Sequence, residues 1–324
     1  MAGDPSELAG LVKAKAHALG FELVGICPAD PAQSSPFFEK WLAAGFHGTM
    51  EFLPRSAALR SEPRHVLASA RSVVMVGLNY YVPVQHAPGQ PKIARYALGR
   101  DYHRVLRGKL SALGAALQEA EPSVEVRPCV DTAPLFEREF AVRAGIGWIG
   151  KNSCLINTRR GSWMFLGALL TSACLEYDTP DPGGCGACRV CIDACPTGAI
   201  VQLDGRWTVD SRRCISYLTI EHRDGVDPAL EPALAEWTYG CDICQEVCPF
   251  NSPREHHPLR AAATQEPDFL KRRAWPSLAE IAIWSHEEWD QATRGSATRR
   301  ASHVQWKRNA ALNLRQSGKS DHNG

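Results

Sequence analysis

Eight of this chain's cysteines lie between positions 185 and 248, in two runs whose spacing leaves that segment few folds to choose from. The first run is Cys185-x2-Cys188-x2-Cys191-x3-Cys195-Pro196, and the second is Cys241-x2-Cys244-x3-Cys248-Pro249, with Cys214 ahead of it. Bacterial ferredoxins use such a run to hold a [4Fe-4S] cluster. Two-residue gaps let the backbone coil around a cube of iron and sulfide and offer three thiolates to three corners. The fourth cysteine, turned away by the proline, ligates the other cluster. Crossing the runs in this way predicts cluster one on Cys185, Cys188, Cys191 and Cys248. Cluster two then falls to Cys195, Cys214, Cys241 and Cys244. A pair of zinc sites also favours Cys-x2-Cys pairs, but zinc usually takes two well-separated pairs rather than an x2-x2-x3-Cys-Pro run. Two clusters in one module form a wire, carrying single electrons inward from an external low-potential donor.

The remaining four of the twelve cysteines, Cys27, Cys129, Cys154 and Cys174, sit in or beside apolar strand-like stretches and read as small buried hydrophobes. A disulfide framework would suit a shorter, secreted chain. The opening Met1-Ala-Gly-Asp-Pro-Ser-Glu lacks the pattern of a secretory signal, and no stretch approaches the ~18 to 20 apolar residues of a membrane helix. A cytoplasmic, monomeric enzyme without a membrane partner is therefore expected. The net charge of +1 conceals an asymmetry. From residue 291 onward, Arg294, Arg299, Arg300, Lys307, Arg308, Arg315 and Lys319 face a single acid, Asp321. A basic tail on a mildly acidic body points to a polyanionic partner.

Ahead of the cysteines, helical and extended patterns mix. Apolar spacing predicts a helix over Ser6–Leu19, ended by Gly20, and a strand over Phe21–Cys27. Ser72–Tyr81 is an almost unbroken apolar run, as in a central strand buried on both faces. A helix over Asp101–Ala120, a strand over Val124–Val130 and a helix over Pro134–Ala144 follow. Cys154–Asn157 and Trp163–Thr171 read as a hairpin around Thr158-Arg-Arg-Gly-Ser. The fold class is α+β. The predicted organisation is a mixed α/β domain over 1–175, a ferredoxin-like module over 176–255 and a polar helical region over 256–324.

Gly145-Ile-Gly-Trp-Ile-Gly-Lys-Asn152 matches Gly-x-Gly-x-x-Gly, yet a helix rather than a strand precedes it, so phosphate binding is not expected. The glycines could instead admit a flat cofactor closely. Asp131 stands between a strand and a helix, where it could cap the helix or face a cofactor cleft. The histidine of Asp101-Tyr-His103 reads as a surface or helix-start residue.

Several stretches together resemble the epoxyqueuosine reductases, which complete queuosine on tRNA. They are Ala94-Arg-Tyr-Ala-Leu-Gly-Arg-Asp-Tyr-His103, Val130-Asp-Thr-Ala-Pro-Leu-Phe-Glu-Arg138, Gly145–Asn152, Cys214-Ile-Ser-Tyr-Leu-Thr-Ile-Glu-His222 and both cysteine runs. The resemblance implies an N-terminal cobalamin-binding domain, two [4Fe-4S] clusters that feed base-off cobalamin, and reduction of an epoxide in the anticodon loop of tRNA. It implies Asp131 as proton donor, with a pKa expected to be raised by burial beside the corrin. Asn152, Ser216 and Asp242, then Arg55 and Tyr96, are the implied cobalamin contacts. Many members continue into a helical-repeat domain after the equivalent of Trp306–Leu314, whereas this sequence stops at Gly324. Grip on tRNA is accordingly expected from Arg223, Arg299, Arg300, Lys307 and Arg308. Two alternatives remain: a cobalamin- and cluster-dependent reductive dehalogenase, whose usual twin-arginine signal is not found here, or a ferredoxin-type carrier.

Overall fold

The run Ser72–Asn79 is apolar along its whole length because it is buried along its whole length, as the second of four strands in one sheet. In the computed structural model, residues 3–234 and 236–320 are described, with side chains through residue 316. The leading elements are α1 (Pro5–Ala18), β1 (Leu23–Pro28), β2 (Ser72–Asn79), α2 (Tyr102–Ala120), β3 (Val126–Cys129), α3 (Glu137–Arg143) and β4 (Met164–Thr171). The sheet runs β1-β2-β4-β3 with every neighbouring pair antiparallel. Register sets Val74 opposite Leu169 and Met75 opposite Ala168. Successive side chains point to opposite faces. Val74, Val76, Leu78 and Leu169 therefore meet Leu8 and Val12 of α1 and Leu106, Leu110 and Leu113 of α2. Val73, Met75, Ala168 and Leu170 meet Phe140 and Ala141 of α3 on the other face. Helices on both faces are what the unbroken apolar run required.

The expected hairpin is not formed as read. The turn is there, closed by an antiparallel bridge between Asn157 and Gly161. But Leu155–Ile156 leaves β4 and pairs with Trp148–Ile149 in the glycine-rich turn. The cause is close packing: a Cβ on Gly147 would lie 2.1 Å from the Ile156 carbonyl oxygen. Asn157 adds an Nδ2–H bond to the Ile146 carbonyl at 2.6 Å. Gly145, at φ +73°, similarly admits the Thr179 carbonyl, at 2.4 Å from where its Cβ would stand. Gly145 and Gly147 make room for backbone of the same chain.

Beyond Pro253 the chain is helical as read only from Leu278 onward, with a single short helix, Pro267–Leu270, before it, and it is not uniformly polar. Trp306, in the helix His303–Ser320, is fully buried, with its ring stacked 5.0 Å from Trp275 and against Ile281, Trp284 and Tyr239. Asn309 of that helix donates to the carbonyls of Thr219 and Thr238, both at 2.9 Å. Trp237–Tyr239 in turn pairs in parallel with Lys92–Ile93. The basic segment is thus bolted to the cysteine module and to the N-terminal half. Asp321 and the side chain of Lys319 lie outside the described residues. Among the described residues, no helix is long and apolar enough to cross a membrane.

Two glycine substitutions should act with opposite sign. Gly147→Ala must push Ile156 away and should lower stability by ~1–3 kcal/mol. Gly108→Ala, inside α2 with nothing within 4 Å of its new methyl, should raise stability by up to ~1 kcal/mol. Thermal unfolding of the two variants beside the parent checks both signs.

Candidate active site

The two cysteine runs meet in the packing. Cys185, Cys188 and Cys191 ring one cavity whose wall is completed by Cys248 of the second run, together with Lys151 and Phe250. Lys151 Nζ donates to the carbonyls of Gly186 and Cys188, both at 2.8 Å, and so ties the glycine-rich turn to the first loop. In the second group, Cys241 stands within electrostatic reach of Cys214 and Cys195. Cys244 stands within reach of Cys214 and Cys241. Backbone N–H groups aim at the sulfurs: Ala199 at Cys195, at 3.3 Å, Ser216 and Tyr217 at Cys214, Ile243 at Cys241 and Phe250 at Cys248.

Such bonds favour thiolate, while burial and neighbouring sulfur oppose it. Burial, then the charges of Cys248, Cys185 and Cys188, push the Cys191 thiol up to about 11. Burial likewise pushes Cys241 up. Two crowds of thiols, each supplied with N–H donors but short of positive charge, fit polynuclear iron. Among the described residues, no three His, Cys, Asp or Glu side chains are grouped to hold one ion. The Cys185 group instead surrounds a void, as cysteines at the corners of a cube would.

Of the four remaining cysteines, Cys27 and Cys129 are buried as expected, and Cys174 is half-buried. Cys154 is more than a small hydrophobe, because its thiol is hydrogen-bonded to Cys244 of the second group. Asn152, almost fully buried, donates to the Cys244 carbonyl at 3.2 Å and accepts from the Cys154 N–H at 3.2 Å. Asp242 is spent internally, accepting the Arg95 N–H at 2.8 Å and its guanidinium at 3.0 Å. Burial pushes the Asp242 carboxyl up to about 6, against the pull of Arg95. Asn152 and Asp242 therefore build the wall beside cluster two, and their polar groups are already engaged by the protein.

Asp131 follows β3 at φ +46°, an uncommon backbone for a non-glycine residue. It caps no helix, since α3 begins only at Glu137. Its N–H instead donates to Glu137 Oε1 at 2.8 Å. Its Oδ2 lies 3.0 Å from His103 Nε2, and His103 Nδ1 lies 2.7 Å from Asp101 Oδ1. The chain's own groups do not raise the Asp131 pKa. Desolvation would raise it, but the hydrogen bond and positive charge of His103 win and hold the carboxyl below its ordinary value. Burial alone would lower His103, yet Asp101 and Asp131 together push it up to about 9. At neutral pH the pair is imidazolium and carboxylate. The carboxyl that burial does raise is Glu137, to about 8, with the charge of Asp131 adding to the effect.

The same mouth collects the other implied residues. The phenols of Tyr96 and Tyr239 are 3.3 Å apart, and both Tyr96 and Tyr102 feel the charge of Asp131. Arg300 feels it too, while holding Glu221 with two bonds of 2.8 Å. The Arg300 guanidinium also lies over Phe52, 5.3 Å from the ring centre, in the short helix Phe52–Arg55 that carries the exposed Arg55. Half-buried Ser216 stands beside Cys214. On the remaining side Arg138 donates to the Ser153 carbonyl, next to Cys154. The Asp131 loop and cluster two thus border one region.

The basic residues divide. Arg299 is paired with Asp290. Arg308 sends its guanidinium to the carbonyls of Leu218, His222 and Asp224, which makes it an internal brace and not a free contact. Arg223 is exposed and Lys307 half-buried, and among the described residues neither has an ion-pair partner. The roles of His103, Glu137 and Arg95 were missed in the sequence. The signal for the first was the Asp101-x-His103 spacing at a helix start, where the Asp can both cap the helix and hold the ring.

Comparison with known proteins agrees with this arrangement. The family model "Epoxyqueuosine reductase QueG, DUF1730" matches residues 60–132, and "4Fe-4S double cluster binding domain" matches residues 184–251. The epoxyqueuosine reductase of Escherichia coli (strain K12) is 41% identical over 320 residues, covering 96% of this chain and 82% of its own. An epoxyqueuosine reductase solved with an epoxyqueuosine-modified tRNA-Tyr stem loop superposes with a TM-score of 0.83 at 28% identity, covering 96% of this chain and 81% of that one. A Bacillus subtilis epoxyqueuosine reductase, solved with its aspartate catalytic loop swung out of the active site, also gives 0.83 at 28% identity, covering 97% and 83%. A catabolic reductive dehalogenase shares the fold more distantly, with a TM-score of 0.53 and 18% identity over 39% of its own chain. With its cysteine nests, its aspartate loop and a close relative along nearly its whole length, the chain belongs to the epoxyqueuosine reductase family of oxidoreductases.

Proposed function

We propose that this chain reduces epoxyqueuosine to queuosine in the anticodon loop of tRNA, using two [4Fe-4S] clusters and cobalamin. The observation that carries the reading is a proton-holding pair, Asp131 and His103, beside the second of two cysteine nests. Deoxygenating an epoxide takes two electrons and two protons and yields an alkene and water. No side chain supplies electrons of such low potential, so a cofactor must. Cobalamin, when bound, would supply the low-potential two-electron chemistry that opening the epoxide needs. The groups at the mouth suit an amide-fringed corrin: the Ser216 hydroxyl and the Arg55 guanidinium are the donors that would hold it, beside the Tyr96 phenol, which is bonded to Tyr239. Asn152 and Asp242 shape the wall behind it.

The chain's own task at the reacting oxygen is protonation. At rest the proton resides on His103, because two carboxylates flank its ring. As negative charge develops on the departing oxygen, His103 passes its proton to Asp131, which hands it on to that oxygen. Asp101 fixes the ring so that Nε2 faces Asp131. In the Bacillus subtilis relative an aspartate loop is called catalytic and leaves its site. The positive φ of Asp131 and its exposed side chain suit the same use here. For tRNA, Arg223 and Lys307 are the free phosphate contacts. Arg299 and Arg300 contribute only by sharing charge with Asp290 and Glu221. Single-stranded loops are read by stacking and edge contacts while cations hold the phosphates.

The deciding experiment is an anaerobic assay of cluster-loaded protein with cobalamin, reductant and epoxyqueuosine-containing tRNA, followed by nucleoside analysis. Queuosine should form, and its absence with both cofactors bound would overturn the reading. Asp131→Asn should lower turnover by roughly 10² to 10⁴ while cobalamin and tRNA still bind. In the parent, turnover should hold through neutral pH and fall as pH rises through about 9, where His103 loses its proton. His103→Gln should abolish that alkaline limb. Cys248→Ala should halve the iron bound, from about eight atoms to about four per chain, with Cys214→Ala removing the other half. Neutralising Arg223 and Lys307 together should weaken tRNA binding and flatten the log–log salt slope by roughly 0.7 for each phosphate left without its cation.

A further inference from the structure

Most arginines of this chain whose guanidinium meets another group meet a carboxylate. Arg95, Arg143, Arg160, Arg212, Arg294 and Arg300 are each ion-paired. Arg260, like Arg138 and Arg308, meets no carboxylate, and it lies against cluster one. Arg260, 5% exposed, donates Nε–H to the Thr158 carbonyl at 2.8 Å and lays its guanidinium over Phe250, 4.7 Å from the ring centre. Phe250 lines the cavity of Cys185, Cys188, Cys191 and Cys248, and the charge of Arg260 reaches Cys248 itself. Next to it, His257 feels Arg260, His256, Arg159 and Arg254, all cationic or able to become so.

Among the described residues, none of Arg159, Arg254 and Arg260 has an ion-pair partner. The acid of this segment, Glu255, is exposed and pairs with none of them. Arg254 and His257 exchange backbone hydrogen bonds at 2.8 and 3.3 Å, so the turn that presents them is a defined one. Leu259, which lines a surface cavity with Arg159, is 46% exposed, as is Val190, the neighbour of Cys191 in sequence. Like charges gathered without counter-charge repel one another. They also create a field that draws an acidic partner and speeds its docking. A cationic rim around exposed apolar residues is the composition of a transient protein interface.

We propose that the Arg159–Arg254–Arg260 patch over cluster one is the docking surface for a small acidic electron-carrier protein bearing a flavin or iron–sulfur centre. Each encounter oxidises the carrier by one electron and reduces cluster one, held by Cys185, Cys188, Cys191 and Cys248, by one electron. Two encounters supply the two electrons that, with two protons, convert one epoxide to an alkene and water. A nucleic acid is disfavoured as occupant, because the tRNA loop must reach the Asp131 mouth while this patch adjoins the other cluster. The proposal rests on the cluster assignment above, and its test separates the two.

Cluster-loaded protein is mixed anaerobically with the hydroquinone of an acidic flavodoxin, and separately with photoreduced deazaflavin, a small uncharged reductant. Arg159→Glu/Arg254→Glu is the informative variant, since both residues are exposed and lie outside the cysteine nests. Flavodoxin should bind the variant at least about tenfold more weakly. Its second-order rate of cluster bleaching should fall in step and lose its steep dependence on salt. Deazaflavin should bleach parent and variant alike. Arg159→Gln/Arg254→Gln should give an intermediate loss. Unchanged flavodoxin affinity and rate would overturn the proposal, and a loss confined to tRNA affinity would reassign the patch to nucleic acid. If deazaflavin failed to bleach even the parent, the cluster assignment itself would fall.

Discussion

Eight thiols packed in two nests cannot all ionise beside one another unless positive charge is placed among them. The free thiols show the strain as pKa values driven upward by burial and by one another. The backbone is nevertheless arranged for thiolate, with N–H groups aimed at four of the sulfurs. That arrangement is sensible only for a state in which iron supplies the missing charge. Because each nest borrows a cysteine from the far run, iron binding also joins the two runs. The glycine-rich turn, the Arg95–Asp242 pair and the C-terminal helix then brace the module from three sides.

The opposite end of the wire obeys a different electrostatic rule. Asp131, His103 and Asp101 form a line of alternating charge, so each holds its neighbour ionised. The arrangement keeps a proton within one hydrogen bond of the mouth without burying a neutral carboxylic acid there.

Much of this was legible in the sequence, for identifiable reasons. Metal spacing is local, so the cysteine nests could be read directly. The burial of Ser72–Asn79 could be read because a two-sided strand shows no alternation. The pairing of Leu155–Ile156 could not, since two residues carry no period and the choice between β4 and the glycine-rich turn depends on a carbonyl fitting against Gly147. Nor could the sign of the Asp131 shift. That sign depends on a histidine 28 residues away, brought to it by the fold. The tail read as polar because its charges are frequent, while Trp306 and Asn309, which decide its packing, are single residues.

Two carboxyls share the Asp131 loop, and their environments push them apart. Asp131 is held low by His103, whereas Glu137 is raised to about 8 by burial and by Asp131 itself. Such divergence in adjacent groups separates a proton donor from a group that positions it. Glu137 accepts the Asp131 backbone N–H, which makes it the latch of the loop. Its own charge and that of Asp131 repel, while the bond it accepts from the Asp131 N–H favours its charged form. At neutral pH Glu137 is the neutral member, which leaves Asp131 free to stay charged against His103. Proton supply and loop position are therefore set by one balance of charge, a short step from the sulfur nest that receives the electrons.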